Sequence, residues 1–357
     1  MHKSSTAVIC LSPNSGGMEI NAMKLAQKLS LHSNITLIAK ENSFIKNNHS
    51  KYIQNSQVNI ETIKFRSSIS FSIYSRTKEL INKNNIKNVI FFGASELKSL
   101  YFAFLGLDIN LIIVHSTTKS TPKKSFFHRL IYSDVNWHIA ICKHLEKNVK
   151  KIIPFGKKSR LKVIYSSFDI KKIQKNTDEK ILTILHTGRI AEGKGQTDAI
   201  KACKSLFENN IEFNFFVVGG FENDAYKNKF MDLYNDLPYK DKIVLVGFTN
   251  DVESYTARSD IFLFPSYGEG LSNAFVEALS NNLVCISYDN TSFSEFKELG
   301  FYTHLVKDRD IDELSKKLLF VSKNIDNEIL RAEPNFELAK NVFNTQQEID
   351  SYLEILV

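Results

Sequence analysis

The sequence predicts an α/β protein built as two doubly wound, parallel-sheet domains. Three observations carry that expectation. Short, near-continuous apolar runs of four to six residues alternate with amphipathic stretches of helical period, and the series occurs twice. Runs without polar alternation suit strands covered by helices on both faces. The chain has 357 residues, too many for one small core at about 100–200 residues per domain.

In the first half, residues 7–11 read as a strand. Residues 17–31 follow as an amphipathic helix, with Ile20, Met23, Leu25, Ala26 and Leu29 on its inward face. Residues 35–39, 89–92, 111–114 and 138–141 read as further buried strands, and polar residues 46–56 as a loop. The second half repeats the pattern. Its strands are expected at 182–186, 213–218, 243–246, 261–264 and 284–287, and its helices include 196–208, 225–235, 273–279 and 311–321. The junction falls in the polar, charged stretch 168–179. The expected domains are 1–168 and 169–334, with a helical tail at 335–357. Two doubly wound sheets hold ligands at the carboxyl ends of their strands, so the cleft between the domains is the expected active site.

Hydrophobic content of 43% with 24% charged residues is ordinary for a water-soluble protein, and no repeat or low-complexity segment is present. The first apolar run spans only five residues and no apolar stretch reaches 18, so neither a signal peptide nor a membrane span is expected and the location is read as cytoplasmic. Cys10, Cys142, Cys203 and Cys285 are far apart and lack metal-ligand spacing, so they read as reduced core residues. The net charge of +7 hides an asymmetry: residues 1–165 carry 25 Lys+Arg against 8 Asp+Glu, whereas residues 166–357 carry 21 against 31. Halves so unequal suggest different partners. The run at 143–162 holds eight basic residues and one Glu, interspersed with Leu145, Val149, Ile152, Ile153 and Phe155; KKSFFHRL lies upstream at 123–130. Both suit the anionic inner face of the cytoplasmic membrane, or an anionic acceptor; no nucleic-acid motif accompanies the charge.

The most informative string is SYGEGLSNAFVEAL, residues 266–279. A strand, a Gly-bearing turn (Gly268, Gly270) and a helix N-terminus make an anion site on the amides of Leu271, Ser272 and Asn273. Glu269 and Glu277 bracket it. Phosphate between two hydroxyl-accepting carboxylates suits a nucleotide sugar. At 185–202, LHTGRIAEGKGQTDAIKA sets Arg189 and Lys194 across a turn that contains Gly188, Gly193 and Gly195. Two fixed cations can neutralise a diphosphate leaving group without metal. In the first half, Gly16-Gly17 opens a helix whose amides can face a phosphate or an acceptor, and His115, at a strand's carboxyl end, can donate to a sugar hydroxyl or phosphate.

These strings together resemble retaining GT-B glycosyltransferases, specifically glycosyltransferase family 4 of the bacterial surface-polysaccharide type. The resemblance is strong over residues 182–287 and weaker before them. It extends to Gly-Gly-x-Glu at 16–19, to paired glycines at Gly219-Gly220 near the nucleotide, and to the segment around Gly247 and Phe248, which borders the base in relatives. It implies a GT-B fold, with the tail crossing back onto the first domain. The implied reaction moves a sugar from a nucleotide diphosphate sugar, UDP-sugar favoured, to a hydroxyl of a membrane-associated glycan or glycolipid in lipopolysaccharide, O-antigen or capsule synthesis. Retention at the anomeric carbon, no metal and no cofactor beyond the donor substrate are expected with it. Arg189, Lys194, Glu269 and His115 take the catalytic positions; Glu269 would contact sugar hydroxyls and Glu277 the ribose. A sugar-nucleotide epimerase or a non-catalytic binding module of the same fold remain as alternatives. Two departures stand out. The junction reads Ser166-Ser167-Phe168-Asp169 where relatives often have Asn-Gly-x-Asp, so Ser167 is expected to take a turn that Gly would permit. Cys142 stands where a Ser commonly opens the helix. Asp308-Arg309-Asp310 matches an Asp-x-Asp metal motif but precedes a helix, where acidic residues favour the N-terminus.

Overall fold

Thirteen strands form two separate, wholly parallel sheets in this computed structural model, which describes residues 4–54, 57–174 and 181–357. The chain divides into one unit of Met1–Ser167 with Thr345–Val357 and a second of Phe168–Asn344. Part of the predicted junction, residues 175–179, and residues 55–56 of the predicted loop lie outside the described residues.

The first unit has seven strands: β1 (Ser5–Cys10), β2 (Asn34–Lys40), β3 (Val58–Ile63), β4 (Asn88–Phe92), β5 (Asn110–His115), β6 (Trp137–Ala140) and β7 (Arg160–Val163). They are ordered β3-β2-β1-β4-β5-β6-β7, with α1 (Gly17–Leu29), α2 (Phe44–Tyr52), α3 (Phe71–Lys83), α4 (Leu97–Phe104), α5 (Phe126–Ile131) and α6 (Lys143–Ile152) in the connections. The order reverses at β1, whose neighbours are β2 and β4. Residues 44–52, most of which were expected as loop, form α2: the Ser43 hydroxyl accepts from the Lys46 amide at 3.2 Å and Ile45 is fully buried.

The second unit has β8 (Leu182–Thr187), β9 (Phe213–Val218), β10 (Ile243–Gly247), β11 (Ile261–Leu263), β12 (Val284–Tyr288) and β13 (His304–Val306), ordered β10-β9-β8-β11-β12-β13. Its helices are α7 (Gln196–Ala202), α8 (Lys204–Glu208), α9 (Asp224–Asn235), α10 (Glu253–Ala257), α11 (Asn273–Ser280), α12 (Phe293–Glu298), α13 (Ile311–Lys323), α14 (Ile325–Ala332) and α15 (Asn335–Val342). Here the order reverses at β8, between β9 and β11. The helix expected at 196–208 is interrupted at Cys203.

The tail divides. Helix α15 packs on α11 within the second unit, whereas α16 (Thr345–Leu353) belongs to the first. Within the first unit Glu348 accepts from the Lys28 ammonium (2.7 Å) and from the Ser167 amide and hydroxyl (3.1 and 2.7 Å). Asn110 and Asn88 donate to the carbonyls of Ile355 and Val357. Ser167 is absent from the residues with left-handed φ, so it does not reproduce a glycine turn; its hydroxyl instead ties the segment to Lys28 and Glu348.

One expectation changes character. In the basic run, Leu145, Val149, Ile152 and Ile153 are at most 4% exposed, so they belong to the core and leave α6 a solvated lysine face. Of the apolar residues named in that run, Phe155 alone is exposed. Cys142 caps this helix, its sulfur facing the Leu145 amide at 3.5 Å, and all four cysteines are buried thiols outside any disulfide.

Candidate active site

Strand β8 is the switch point of the second sheet, and its two flanking loops carry the charged residues singled out in the sequence. Residues 188–195 leave β8 and enter α7; residues 264–273 leave β11 and enter α11. The two loops are stitched together. The Tyr267 amide and the Ser266 hydroxyl both donate to the Gly193 carbonyl, at 2.8 and 3.1 Å. A side chain at Gly195 is excluded twice over: its φ is +81°, and a Cβ would stand 2.0 Å from the Pro265 carbonyl oxygen. Gly219 is similarly constrained, with φ +149° and a Cβ position 2.0 Å from the Gly188 carbonyl oxygen. Backbone bonds from Gly188 to Val218 and from Gly219 to Gly247 hold the ends of β8, β9 and β10 at one level.

On this frame the ammonium of Lys194 lies 2.7 Å from Oε1 of Glu269, which at 3.0 Å shares the single Ser266 hydroxyl hydrogen with the Gly193 carbonyl. The pair is sheltered, with side chains 35% and 13% exposed. The Glu269 amide donates to Thr291 Oγ1 at 3.0 Å, and Thr291 holds φ +43°. A left-handed β-branched residue is strained, and here it grips the loop that carries Glu269. The Lys194 carbonyl meets Nε2 of buried His186, whose pKa is pushed down to about 4, chiefly by burial. Arg189 pairs with Glu222 at 2.8 Å in a more open setting, the side chains 50% and 41% exposed.

Helix α11 begins at Asn273, with the Ser272 hydroxyl accepting from the Phe275 amide at 3.3 Å. Leu271 and Ser272 are buried, and Glu277 is exposed one turn on. Phe248, after β10, is 78% exposed. The Asp-x-Asp triplet is occupied structurally: Asp310 caps α13 by accepting from the Glu313 amide, and Asp308 accepts from Asn290, which also donates to the Ser266 carbonyl. Among the described residues, no three His, Cys, Asp or Glu side chains form a group able to hold a metal ion.

In the first unit, Gly16 caps α1 in extended conformation, and Glu19 behind it is 4% exposed. His115 ends β5 but is only 2% exposed, and both ring nitrogens are engaged inside the unit. Its Nε2 lies 3.0 Å from Nδ1 of His138, and its Nδ1 lies 3.1 Å from the Lys119 ammonium. A protonated Lys119 donates to Nδ1, so Nε2–H of His115 donates to His138. Burial, then the neighbouring cation Lys119, hold His115 well below the usual histidine range. The same two causes take His138 to about 3, and burial next to Lys123 takes Lys119 to about 8. The direct hydrogen bond expected from His115 to a ligand is therefore committed to His138. Sequence reasoning passed over His138, Lys119, Glu222 and Thr291; the four-residue spacing from His115 to Lys119 was the only available signal among them.

Residues 167–333 match the family described as glycosyl transferases group 1. The chain is 33% identical over 171 residues to the capsular polysaccharide biosynthesis glycosyltransferase CapH of Staphylococcus aureus, covering 46% of this chain and 47% of that protein. It is 27% identical over 273 residues to an Escherichia coli UDP-Gal:alpha-D-GlcNAc-diphosphoundecaprenol alpha-1,3-galactosyltransferase, covering 67% of each. The chain thus spans about half the length of the first relative and two thirds of the second. Among solved structures, a glycosyltransferase from Rickettsia africae superposes with a TM-score of 0.84 at 17% identity over 99% of this chain and 98% of that one. Anabaena HepE in complex with UDP-glucose gives 0.83 at 15% identity over 98% of both. The fold is therefore that of the GT-B glycosyltransferases.

Proposed function

We propose that this chain, whose residues 167–333 match the group 1 glycosyl transferases, moves a sugar from a nucleotide diphosphate sugar to an acceptor hydroxyl, with retention at the anomeric carbon. The observation that carries the reading is the Lys194–Glu269 pair at 2.7 Å, fixed beside the N-terminus of α11 at the switch point of the second sheet. Lys194 and Arg189 take the two phosphates, with the amides of Gly270, Leu271, Ser272 and Asn273 at the helix N-terminus. Glu269 accepts from sugar hydroxyls and Glu277 from the ribose. Gly188, Gly219, Gly247 and Phe248 border the nucleotide. Negative charge grows on the diphosphate as the glycosidic bond breaks, so the cations and amides stabilise the transition state more than the bound donor. The acceptor attacks from the face the diphosphate leaves, through an oxocarbenium-like transition state, and no metal is required.

Gly16 and Gly17 present the first amides of α1 to a phosphate or acceptor. Lys119 is the cationic end of the histidine chain, and His115 positions it. UDP is the favoured nucleotide, because an E. coli relative is named for UDP-Gal and a protein of the same fold was solved with UDP-glucose. A lipid-linked or otherwise membrane-associated glycan in capsule, lipopolysaccharide or O-antigen synthesis is the favoured acceptor; one curated relative is named for capsular polysaccharide biosynthesis and the other for a diphosphoundecaprenol-linked acceptor. No helix among the described residues is long and apolar enough to cross a membrane.

The test is a thermal-shift screen against UDP-, GDP-, ADP- and CMP-sugars and the free nucleotides. A ligand that binds only the folded state raises the midpoint by mass action. A shift with UDP-sugars that disappears in Lys194→Ala supports the reading. No shift with any nucleotide overturns it.

A further inference from the structure

The helices α3, α4 and α5 form the one face of the first unit where exposed apolar side chains concentrate. Of the ten large exposed hydrophobic residues among the described part of that unit, seven lie on this face. Helix α4 packs against both α3 and α5. Between α3 and α4 runs a groove of about 560 Å³ lined by Ile69, Phe71, Tyr74, Phe102 and Leu105, with Lys78 at its edge. The polar groups in its wall are already satisfied: the Ser70 amide donates to the Ser99 hydroxyl, which donates to the Ser68 carbonyl. The groove therefore presents mainly carbon, with the Lys78 ammonium over the Tyr74 ring at its edge. Beside it, α5 exposes Phe126, Phe127 and Leu130; Phe126 is 82% exposed and Phe71 is 78% exposed. Aromatic rings left this open mark a contact surface rather than scattered surface hydrophobes.

Charge selects the partner. Residues 66–131, which contain the face, hold ten Lys and Arg against three Asp and Glu. Lys123 and Lys124 immediately precede α5, Lys98 lies on α4, and Lys78 on α3 lines the groove, so each helix of the face carries or adjoins a cation. Apolar rings surrounded by cations match a bilayer surface of anionic phospholipid, where rings enter the interface and lysines meet headgroups. We propose that the α3–α5 face docks this chain on an anionic membrane, with Phe71 and Phe126 as the inserted anchors. The lysine face of α6 supplies no such insertion, since its apolar side is in the core. This deepens the membrane-acceptor part of the reading above. It is tested without donor, so its failure leaves the donor-site assignment intact.

Flotation would compare the full chain on vesicles of phosphatidylcholine with phosphatidylglycerol and on phosphatidylcholine alone. The wild type should float with the anionic vesicles and be released by salt. Phe71→Ser/Phe126→Ser should weaken binding at least tenfold, since burying one Phe is worth roughly a decade or more in partitioning. Lys123→Glu/Lys124→Glu should abolish the preference for anionic lipid. Unchanged thermal midpoints would show that both variants fold. The chain has a single tryptophan, Trp137, so Phe126→Trp adds one reporter whose emission should shift to the blue with anionic vesicles only. Wild-type flotation by the double Phe variant overturns the proposal, as does unmoved emission from the Phe126→Trp variant in the presence of bound vesicles. So does conversion of a self-associated protein to monomer by the double Phe variant with vesicle binding unaltered, because the face would then belong to a second copy of the chain.

Discussion

Lys194→Ala separates the structural and catalytic parts of the proposed donor site. Lys194 lies 2.7 Å from Glu269, whose side chain is 13% exposed and whose other side-chain partner is the Ser266 hydroxyl. Removing the cation leaves a sheltered carboxylate with one neutral donor. The expected cost is about 1–3 kcal/mol, the range for a buried polar group that loses its partner. For a unit of this size, that lowers the midpoint by roughly 2–4 °C per kcal/mol. Arg189→Ala breaks a pair whose side chains are 50% and 41% exposed, so stability should move by less than about 1 kcal/mol. Turnover behaves differently. Each cation would stabilise charge on the leaving diphosphate, so either variant should lose roughly a hundredfold in kcat, by analogy with loss of one oxyanion donor. The double variant Lys194→Ala/Glu269→Gln completes the argument: it should recover most of the lost stability, because the uncompensated charge is gone, and none of the turnover. Thermal unfolding read beside steady-state donor consumption tests all three. Wild-type turnover in both single variants would refute the assignment of the cations. A Lys194→Ala protein of full stability would refute the view that the pair is a sheltered structural unit.

Three further outcomes follow from the same geometry. Glu222→Gln removes the carboxylate that would compete with diphosphate for Arg189 in the proposed site; at exposed-pair energies of about 0.2–1 kcal/mol, titration calorimetry should show UDP binding up to about fivefold tighter, and weaker binding would make Glu222 a direct ligand contact instead. Thr291→Gly relieves a left-handed β-branched residue, at about 1–2 kcal/mol, while removing the hydroxyl that holds the Glu269 amide, so the midpoint should change little while kcat falls about tenfold; unchanged kcat would show that Thr291 positions nothing. Burial lowers Lys119 to about 8, so its cation is present below that pH and lost above it. Activity should therefore decline on an alkaline limb near pH 8 that is absent in Lys119→Met, and an identical limb in that variant would assign the titration to another group.

Much of this was legible in the sequence wherever a residue's surroundings repeat the pattern of its neighbours. Central strands such as β4 and β5 are buried along their whole length, so they appear as apolar runs. The strands that escaped notice, β3, β7 and β13, all lie at sheet edges. Edge strands are half solvated and read as mixed sequences such as RLKV. Helix α2 escaped because eight of its nine residues are not buried and Ile45 alone anchors it. The charged residues of the second unit were legible because glycines and cations sit in one continuous stretch. Their partners were less so: Glu222 and Thr291 approach from other connections, and a pairing across 33 or 22 residues leaves no local signature. His138 shows the same limit, since its bond to His115 joins adjacent strands, two residues away from the register pair of each, rather than neighbouring positions in sequence.

If Lys194 and Arg189 bind the phosphates as proposed, the resting site would make a diphosphate alone a poorer fit than a nucleotide sugar. Each proposed phosphate-binding cation already has a carboxylate partner, so the loops carry little net charge before ligand arrives. A phosphate that draws Lys194 away strands Glu269, whose side chain is 13% exposed. A sheltered carboxylate left with one neutral donor, the Ser266 hydroxyl, is unfavourable, and water reaches it poorly. A polyol attached to the same phosphate cures the defect by donating hydroxyl hydrogens to Glu269 as the ammonium turns away. The two recognition events are then coupled through one side chain. Full occupancy of Lys194 by phosphate depends on a sugar being present to satisfy its former partner. Glu222 imposes no such condition on Arg189, because its carboxylate is open to water and can be solvated when released. Selectivity for the intact donor would thus reside in the sheltered pair, and electrostatic attraction for any nucleoside diphosphate in the open one.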